Sequence, residues 1–133
     1  MNKEQKTNLK ADLKDKFSRA KVAIFADYKG LSANQADSLR RILRAEDTQV
    51  KVLKNNIARK VMDEAGFSAD AKSIADATVG PTLVAFGFRD PAATAKVIHK
   101  FAKENEALKL KDSLLEDRKI SAAEIEALAS LPS

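Results

Sequence analysis

A short apolar run enclosed by two charged residues is the feature that most constrains this chain. Lys21 and Asp27 bracket five consecutive apolar residues at positions 22–26, with the sequence VAIFA. An uninterrupted run of that length is typical of a β-strand that is buried on both faces. It predicts the central strand of a sheet.

Capping residues and turns define the elements around this strand. Capping boxes at Ser32–Gln35 and Ser121–Glu124 predict two helix starts, and a side-chain oxygen of Asn55 or Asn56 is predicted to cap a third helix. The order in full is a helix within 1–19, a strand at 21–27, a helix at 32–46, a strand at 49–54, a helix at 55–64 with a second piece at 68–75, a turn at Gly80-Pro81, a strand at 82–86, a helix at 91–104 capped by Asp90, a half-exposed edge strand at 108–114, and a helix at 121–130.

Apolar spacing indicates which helix faces are buried. Leu9, Leu13 and Phe17 form a stripe by which the first helix docks on the core, and the buried stripe of the second helix includes Leu39 and Ile42, with Ala36 and Leu43.

The alternation of strands and helices predicts an α/β (α+β) fold made of two βαβ halves. Such halves commonly interleave as a split βαβ, ferredoxin-like four-stranded antiparallel sheet with helices on one face. The N-terminal helix and the helical insertion between strands 2 and 3 are then additions. A doubly wound parallel sheet is the alternative. The chain of 133 residues is predicted to be one domain, with an N-terminal helix at 1–19, a core at 20–115 and a C-terminal helical segment at 116–133.

Several classes of protein are disfavoured by what the sequence lacks. There is no cysteine for a disulfide or a thiolate metal site, and no apolar run with the length of a membrane span, which predicts a cytoplasmic protein without a membrane partner. His99 is the only histidine, and the four glycines are isolated. We therefore expect no enzyme, no cofactor and no metal. A magnesium site at Asp27 and Asp37, acting on nucleotides, is the enzymatic alternative.

The basic residues concentrate in the first half of the chain. Residues 1–66 hold 15 Lys and Arg against 9 Asp and Glu, whereas residues 67–133 hold 9 against 10. Clustered cations indicate a polyanionic partner. Helical spacing places Arg40, Arg41 and Arg44 on one outer face. A second group at the start of the next helix offers cations and backbone N–H groups to phosphate, and it consists of Lys54, Asn55, Asn56, Arg59 and Lys60.

These charges are compatible with two modes of RNA binding. In the first, the basic helix faces bind a folded RNA. In the second, a single strand or a messenger RNA binds to the face of the sheet, and aromatic side chains contribute by stacking. Tyr28, next to Lys29, is the better stacking candidate, whereas Phe86 and Phe88 are expected to belong to the core.

Five segments in the same order resemble one known family. They are VAIFADYKGLS at 22–32, LRRILR at 39–44, VLKNNIAR at 52–59, GPT at 80–82 and ALASLPS at 127–133. Together they are similar to the bacterial stalk-base proteins of the large ribosomal subunit, the tenth protein in that subunit's naming and the relatives of the eukaryotic P-zero protein.

The resemblance implies a non-catalytic α/β domain that binds the GTPase-associated region of the large-subunit ribosomal RNA beside the neighbouring stalk-base protein. It also implies that the protein anchors the stalk, which recruits translation GTPases, and that some relatives repress their own messenger RNA. The RNA contacts that it implies are Lys29, Gly30, Arg40, Arg41, Arg44, Lys54, Asn55 and Arg59.

The resemblance further implies a long C-terminal helix that carries small acidic dimeric stalk proteins. Here the sequence stops at Pro132-Ser133, and the family's glycines after the last strand are replaced by Asp112-Ser113 and Asp117. We expect this chain to bind ribosomal RNA without holding the acidic dimers.

Overall fold

The computed structural model of the protein describes residues 3–77 and 81–131. Its elements, in chain order, are α1 (Lys3–Arg19), β1 (Val22–Asp27), α2 (Ala33–Arg44), β2 (Thr48–Lys54), α3 (Asn55–Glu64), α4 (Ala69–Ala77), β3 (Pro81–Gly87), α5 (Pro91–Glu104), β4 (Lys109–Leu110), β5 (Ser113–Leu115), β6 (Arg118–Ile120) and α6 (Ala122–Ala129). The predicted turn residue Gly80 and Pro132 near the chain end lie outside the described residues.

The sheet consists of two interleaved βαβ units. Its strand order is β2-β3-β1-β5-β6, with β4 also paired to β1, and every pairing is antiparallel. β1 and β2 both run antiparallel to β3, so they are parallel to each other with β3 between them. β3 and β5 have the same relation, with β1 between them. The predicted α/β class with an antiparallel split βαβ sheet is confirmed, and the doubly wound parallel alternative is wrong.

Over the described residues the sheet has six strands where four were predicted, because a β-bulge divides the predicted last strand into β4 and β5 and a further strand, β6, follows them. Ala26 is paired with Leu110 and Ala23 with Leu114, so the partner of β1 contains one extra residue between these pairs. At the bulge the backbone N–H of Phe25 donates to Oγ of Ser113 at 3.0 Å instead of to a carbonyl. The chain then turns at Glu116, whose φ is 57°, and β6 takes the edge position. The prediction of a half-exposed edge strand at 108–114 is confirmed for β4, which pairs with β1 alone among the described residues, and is wrong for β5, which lies between β1 and β6 with Leu114 fully buried.

Helices cover both faces of the sheet, which corrects the prediction that they cover one. Ala23 and Phe25 of β1 pack with α1, α3 and α4, whereas Val22, Ile24 and Ala26 pack with α2, α5 and α6. The reason is that successive side chains of a strand point to opposite faces, so a wholly apolar strand needs a layer on each side.

The predicted docking of the first helix is confirmed. Leu13 and Phe17 are buried, and the ring of Phe17 stands edge-on to that of Phe86 with 4.9 Å between the ring centroids. Phe17 also lies 5.9 Å from Phe67 and 6.4 Å from Phe25, so α1 closes one face of the sheet through an aromatic cluster.

The helix starts follow their sequence signals except at α3. The capping boxes of Ser32 and Ser121 are present, and Asp90 caps α5. α3 begins at Asn55 with Lys54 in the capping position and no side-chain cap, so the prediction of an asparagine cap is wrong. The helix starts directly from the last residue of β2, which leaves no residue between strand and helix for a polar cap.

Ile42 is the one residue of the predicted α2 stripe that faces outward. It is 41% exposed, whereas Leu39 and Leu43 are fully buried. α2 contacts the core through the narrow line of these two leucines, one turn apart, and Ile42 lies to the side of that line.

Removing the Ser113 hydroxyl should destabilise the fold. In Ser113→Ala the N–H of Phe25 loses its buried acceptor, and we expect the free energy of unfolding to fall by about 1–3 kcal/mol. Urea denaturation measures the change. Ser18→Ala, at an exposed position of α1, is the matched control and should stay within about 0.5 kcal/mol of the parent. Equal stability of the two variants would contradict the assigned role of Ser113.

Candidate nucleic-acid interface

β2 forms one edge of the sheet and leaves a row of backbone groups open. Within the described residues it pairs with β3 alone, and Gln49, Val52 and Lys54 are exposed, with Val52 at 41%. An edge strand carries unpaired N–H and C=O groups, and lysines on such an edge discourage pairing with another chain. α2 flanks this edge on one face of the sheet, and α1 and α3 flank it on the other.

A polar pocket of about 350 Å³ lies between α2 and the first half of β2, and we call it the α2 pocket. Arg40 and Arg44, one turn apart, stand on its helix side, and Asp47 is its one carboxylate. Both guanidinium groups are exposed, and neither forms a salt bridge in the part of the chain that the structure describes. The pocket is lined by Arg40, Arg44, Asp47, Thr48, Gln49, Val50 and Lys51.

A second pocket, of about 200 Å³, lies on the other side of the same edge, between α1 and the first turns of α3, and we call it the α1–α3 pocket. Its lining combines two apolar side chains with three lysines and one amide, namely Leu9, Ile57, Lys10, Lys54, Lys60 and Asn56. The exposed end of β2 thus lies between two groups of cations, which come from three different helices.

The first loop lies at the same end of the sheet as the start of α3. The backbone N–H of Lys29 donates to Oδ1 of Asp27 at 3.0 Å, and Gly30 has a φ of 87°, which favours glycine. Since β1 and β2 are parallel with one strand between them, their ends are about 10 Å apart. The structure therefore places Lys29 and Gly30 at the same end of the sheet as Lys54.

Three predicted site residues take different positions. Arg41 is exposed on α2 and lines neither pocket. The side chain of Asn55 lies outside what the structure describes. Arg59 is half-buried next to Asp63: the Lys72 ammonium, 2.8 Å from Oδ1 of Asp63, lowers the pKa of that carboxyl by hydrogen bonding and charge, and the charge of Arg59 adds to the lowering. The α3–α4 ion pair is formed by Lys72 and Asp63, and Arg59 acts on it only through its charge.

The alternative sites that the sequence suggested have other roles. Phe86 is fully buried, as expected, and Phe88 lies half-buried with the Arg19 guanidinium 4.6 Å from its ring centroid. Tyr28 packs half-buried against the core on the α2 side. Over residues 3–77 and 81–131, neither face of the sheet is left open for a single strand, because helices pack on both.

The carboxylates do not converge on a metal position. Asp27 accepts the turn hydrogen bond from Lys29, and Asp37 is exposed on α2. Among residues 3–77 and 81–131, no three His, Asp or Glu side chains group in a way that could hold an ion. None of the helices over these residues has the length and apolar character needed to cross a membrane.

The sequence analysis did not place Lys10 and Lys51 in the groups of cations beside β2. Lys51 is next to the predicted group in sequence, and the alternation of β2 could have placed it on the strand edge. Lys10 comes from a helix 44 residues before Lys54. Only the docking of α1 beside α3 brings the two together, and the order of elements alone does not specify that contact.

An α/β domain with a covered sheet and unpaired cations along one edge has the features of a binding protein rather than of an enzyme. The profile of the family described as Ribosomal protein L10 matches residues 1–103. A large ribosomal subunit protein uL10 from Geobacter metallireducens is 42% identical over 134 residues, which cover 100% of this chain and 75% of the relative. One from Shouchella clausii is 40% identical over 130 residues, with 98% and 76% covered, and one from a Thermoanaerobacter strain is 39% identical over 131 residues, with 98% and 72% covered.

The chain therefore belongs to the Ribosomal protein L10 family. Members of this family are structural, non-enzymatic proteins of the large ribosomal subunit, which places the protein in the ribosome. The expectation that the chain is not an enzyme is confirmed by this membership.

The pairing of Asp63 predicts how its pKa responds to substitution. Lys72→Gln should raise the pKa of Asp63 towards its ordinary value, and by more than Arg59→Gln does, because Lys72 supplies both the hydrogen bond and a charge. Since the folded-state pKa is depressed, the pair stabilises the fold above the ordinary pKa of aspartate. That contribution is lost as the pH falls through the folded-state pKa.

Side-chain carboxyl NMR titration measures this pKa. Lys100→Gln, exposed on α5 on the other face of the sheet, is the control and should leave the pKa of Asp63 unchanged. A larger effect of Lys100→Gln than of Lys72→Gln would contradict the assignment.

Proposed function

We propose that the protein binds a folded segment of the large-subunit ribosomal RNA through the edge of β2 and the basic faces beside it. The observation that carries the proposal is the placement of unpaired cations from α1, α2 and α3 around one sheet edge, while both sheet faces are occupied by helices. We call this surface the basic edge. It consists of Lys10, Arg40, Arg41, Arg44, Lys51, Lys54 and Lys60, with Lys29 and Gly30 at its end. In sequence, Asn55 and Asn56 follow directly after Lys54 of this surface. Arg59 lies beside the surface and contributes its charge.

Contacts of this kind act on phosphates and fix the position of the protein. The cations stand on helix surfaces and at a strand edge rather than on an open sheet that could read bases. The exposed arginines of α2 suit bidentate binding of phosphate oxygens, which a lysine does not offer. We therefore expect the shape of a folded RNA, more than its sequence, to decide binding.

The family resemblance specifies the RNA segment and the neighbouring proteins in this proposal. The RNA segment is the GTPase-associated region, the neighbouring stalk-base protein lies beside this one, and the protein anchors the stalk that recruits translation GTPases. In this role the domain acts as a rigid adaptor. Its covered core holds the basic edge on the RNA, and its remaining surface is available to the neighbouring protein.

Footprinting separates folded from single-stranded RNA as the ligand. We expect protection confined to one folded element of a large-subunit ribosomal RNA transcript, with much weaker binding to unstructured oligonucleotides of equal length and charge. Equal affinity for both would contradict the proposal and favour the single-strand or messenger-binding alternative.

Neutralising one arginine of α2 should weaken binding and flatten its salt dependence. For Arg41→Ala or Arg44→Ala we expect the slope of log K against log salt to fall by about 0.7–0.9 for each phosphate that the variant no longer neutralises. Arg118→Ala is the matched control, since Arg118 is exposed on β6 at the opposite edge of the sheet. Unchanged affinity and slope in both α2 variants would remove the α2 face from the interface.

The described part of the chain is expected not to hold the acidic stalk dimers. α6 buries Ile125, and it packs Leu128 and Ala129 against its own core, so its apolar stripe is already occupied. Binding of a partner helix needs apolar anchors repeated over several turns. Light scattering of the 133-residue chain mixed with the dimers should show no complex at micromolar concentration, and a stable complex there would contradict this expectation.

A further inference from the structure

The α1–α3 pocket differs from the rest of the basic edge in having an apolar lining. Leu9 and Ile57 are half-buried and pack against the core from two different helices, so the space between them is enclosed by structure on two sides. A phosphate group alone gains nothing from such a surface, because it stays hydrated and has no apolar area to bury. The apolar lining therefore favours a ligand that has an apolar part.

The rim of the same pocket requires that ligand to carry negative charge. Lys10, Lys54 and Lys60 line the pocket, and none of the three has a carboxylate within salt-bridge distance among the described residues. The exposed amide of Asn56 adds two hydrogen-bond donors and an acceptor next to the apolar surface. A flat apolar ring with polar edges, joined to a phosphate, matches this combination.

We infer that the α1–α3 pocket binds one unpaired nucleotide of the RNA, with its base between Leu9 and Ile57 and its phosphate among Lys10, Lys54 and Lys60. This inference rests on the proposed function, because the pocket is continuous with the basic edge through Lys54. A volume of about 200 Å³ is below the range of about 300–1,000 Å³ that is usual for drug-sized ligands. A single base fits such a space and a base pair does not, so the nucleotide has to leave its helix to enter.

The two pockets have different roles in the proposed interface. The α2 pocket on the other side of β2 is polar and has three cationic side chains, Arg40, Arg44 and Lys51, against one carboxylate, and this excess of positive charge suits a phosphate backbone that passes over it. The α1–α3 pocket fixes the register of the RNA along the edge by accepting one base at a defined place. Unpaired bases are the elements by which proteins distinguish one folded RNA from another.

NMR titration of the full chain tests the pocket directly. The probes are adenosine 5′-monophosphate, inorganic phosphate and an acetylated Asp-Phe-Asp peptide amide, each added to protein with labelled methyl groups. We expect the nucleotide to shift the methyl signals of Leu9 and Ile57, and phosphate to leave them in place. Lys54→Gln should weaken nucleotide binding by roughly tenfold, the loss of one charge-assisted hydrogen bond. Lys100→Gln, exposed on α5, is the matched control.

Three results would overturn the inference. They are unshifted Leu9 and Ile57 methyls with the nucleotide, equal shifts with phosphate, and stronger binding of the peptide, which would assign the pocket to an acidic protein segment. A paired test on ribosomal RNA separates this inference from the proposed function. If Leu9→Ala and Lys54→Gln leave the affinity for the transcript intact while Arg44→Ala weakens it, the basic edge binds RNA and the nucleotide pocket is refuted. Loss of affinity in Arg44→Ala and in Leu9→Ala, with Lys100→Gln unchanged, supports both.

Discussion

The burial of β1 on both faces is the constraint on which the rest of the structure depends. Its alternate side chains enter two separate core clusters, one under α1, α3 and α4 and the other under α2, α5 and α6. β3 shares both clusters, since Val84 and Phe86 face one and Leu83 and Ala85 the other. A sheet with such a centre cannot offer either face to a ligand without losing the burial that stabilises it.

This constraint moves the binding surface to the margin of the fold. β2 is an edge strand, and α1, α2 and α3, which help to cover the two faces, place cations beside it. Helices that complete the core thus also supply the cations of the basic edge. The docking of α1 therefore contributes both to the packing of the core and to the binding surface. Phe17 anchors α1 in the aromatic cluster, and Lys10, two turns earlier on the same helix, then reaches the pocket beside α3.

Local signals in the sequence predicted most elements, and tertiary relations explain where prediction failed. The apolar run of β1 correctly indicated a strand buried on both faces, yet helices were predicted on one face, although such burial requires two layers. The bulge at Ser113 has no local signature, because a side-chain hydroxyl replaces a carbonyl across 88 residues of sequence. In the site, the helical period predicts that Arg40 and Arg44 lie on one face of α2. The sequence does not predict that Lys10 and Lys54 line the same pocket, because that depends on how α1 packs.

Lysine reactivity in the presence and absence of the RNA tests the central claim most directly. Amine labelling read by mass spectrometry compares every lysine of the unmodified chain in one experiment. If the basic edge is the interface, a large-subunit ribosomal RNA transcript protects Lys10, Lys51, Lys54 and Lys60, while Lys100 and Lys103, exposed on α5, stay reactive. Protection of Lys100 and Lys103, with the lysines around β2 still fully reactive, would contradict the account.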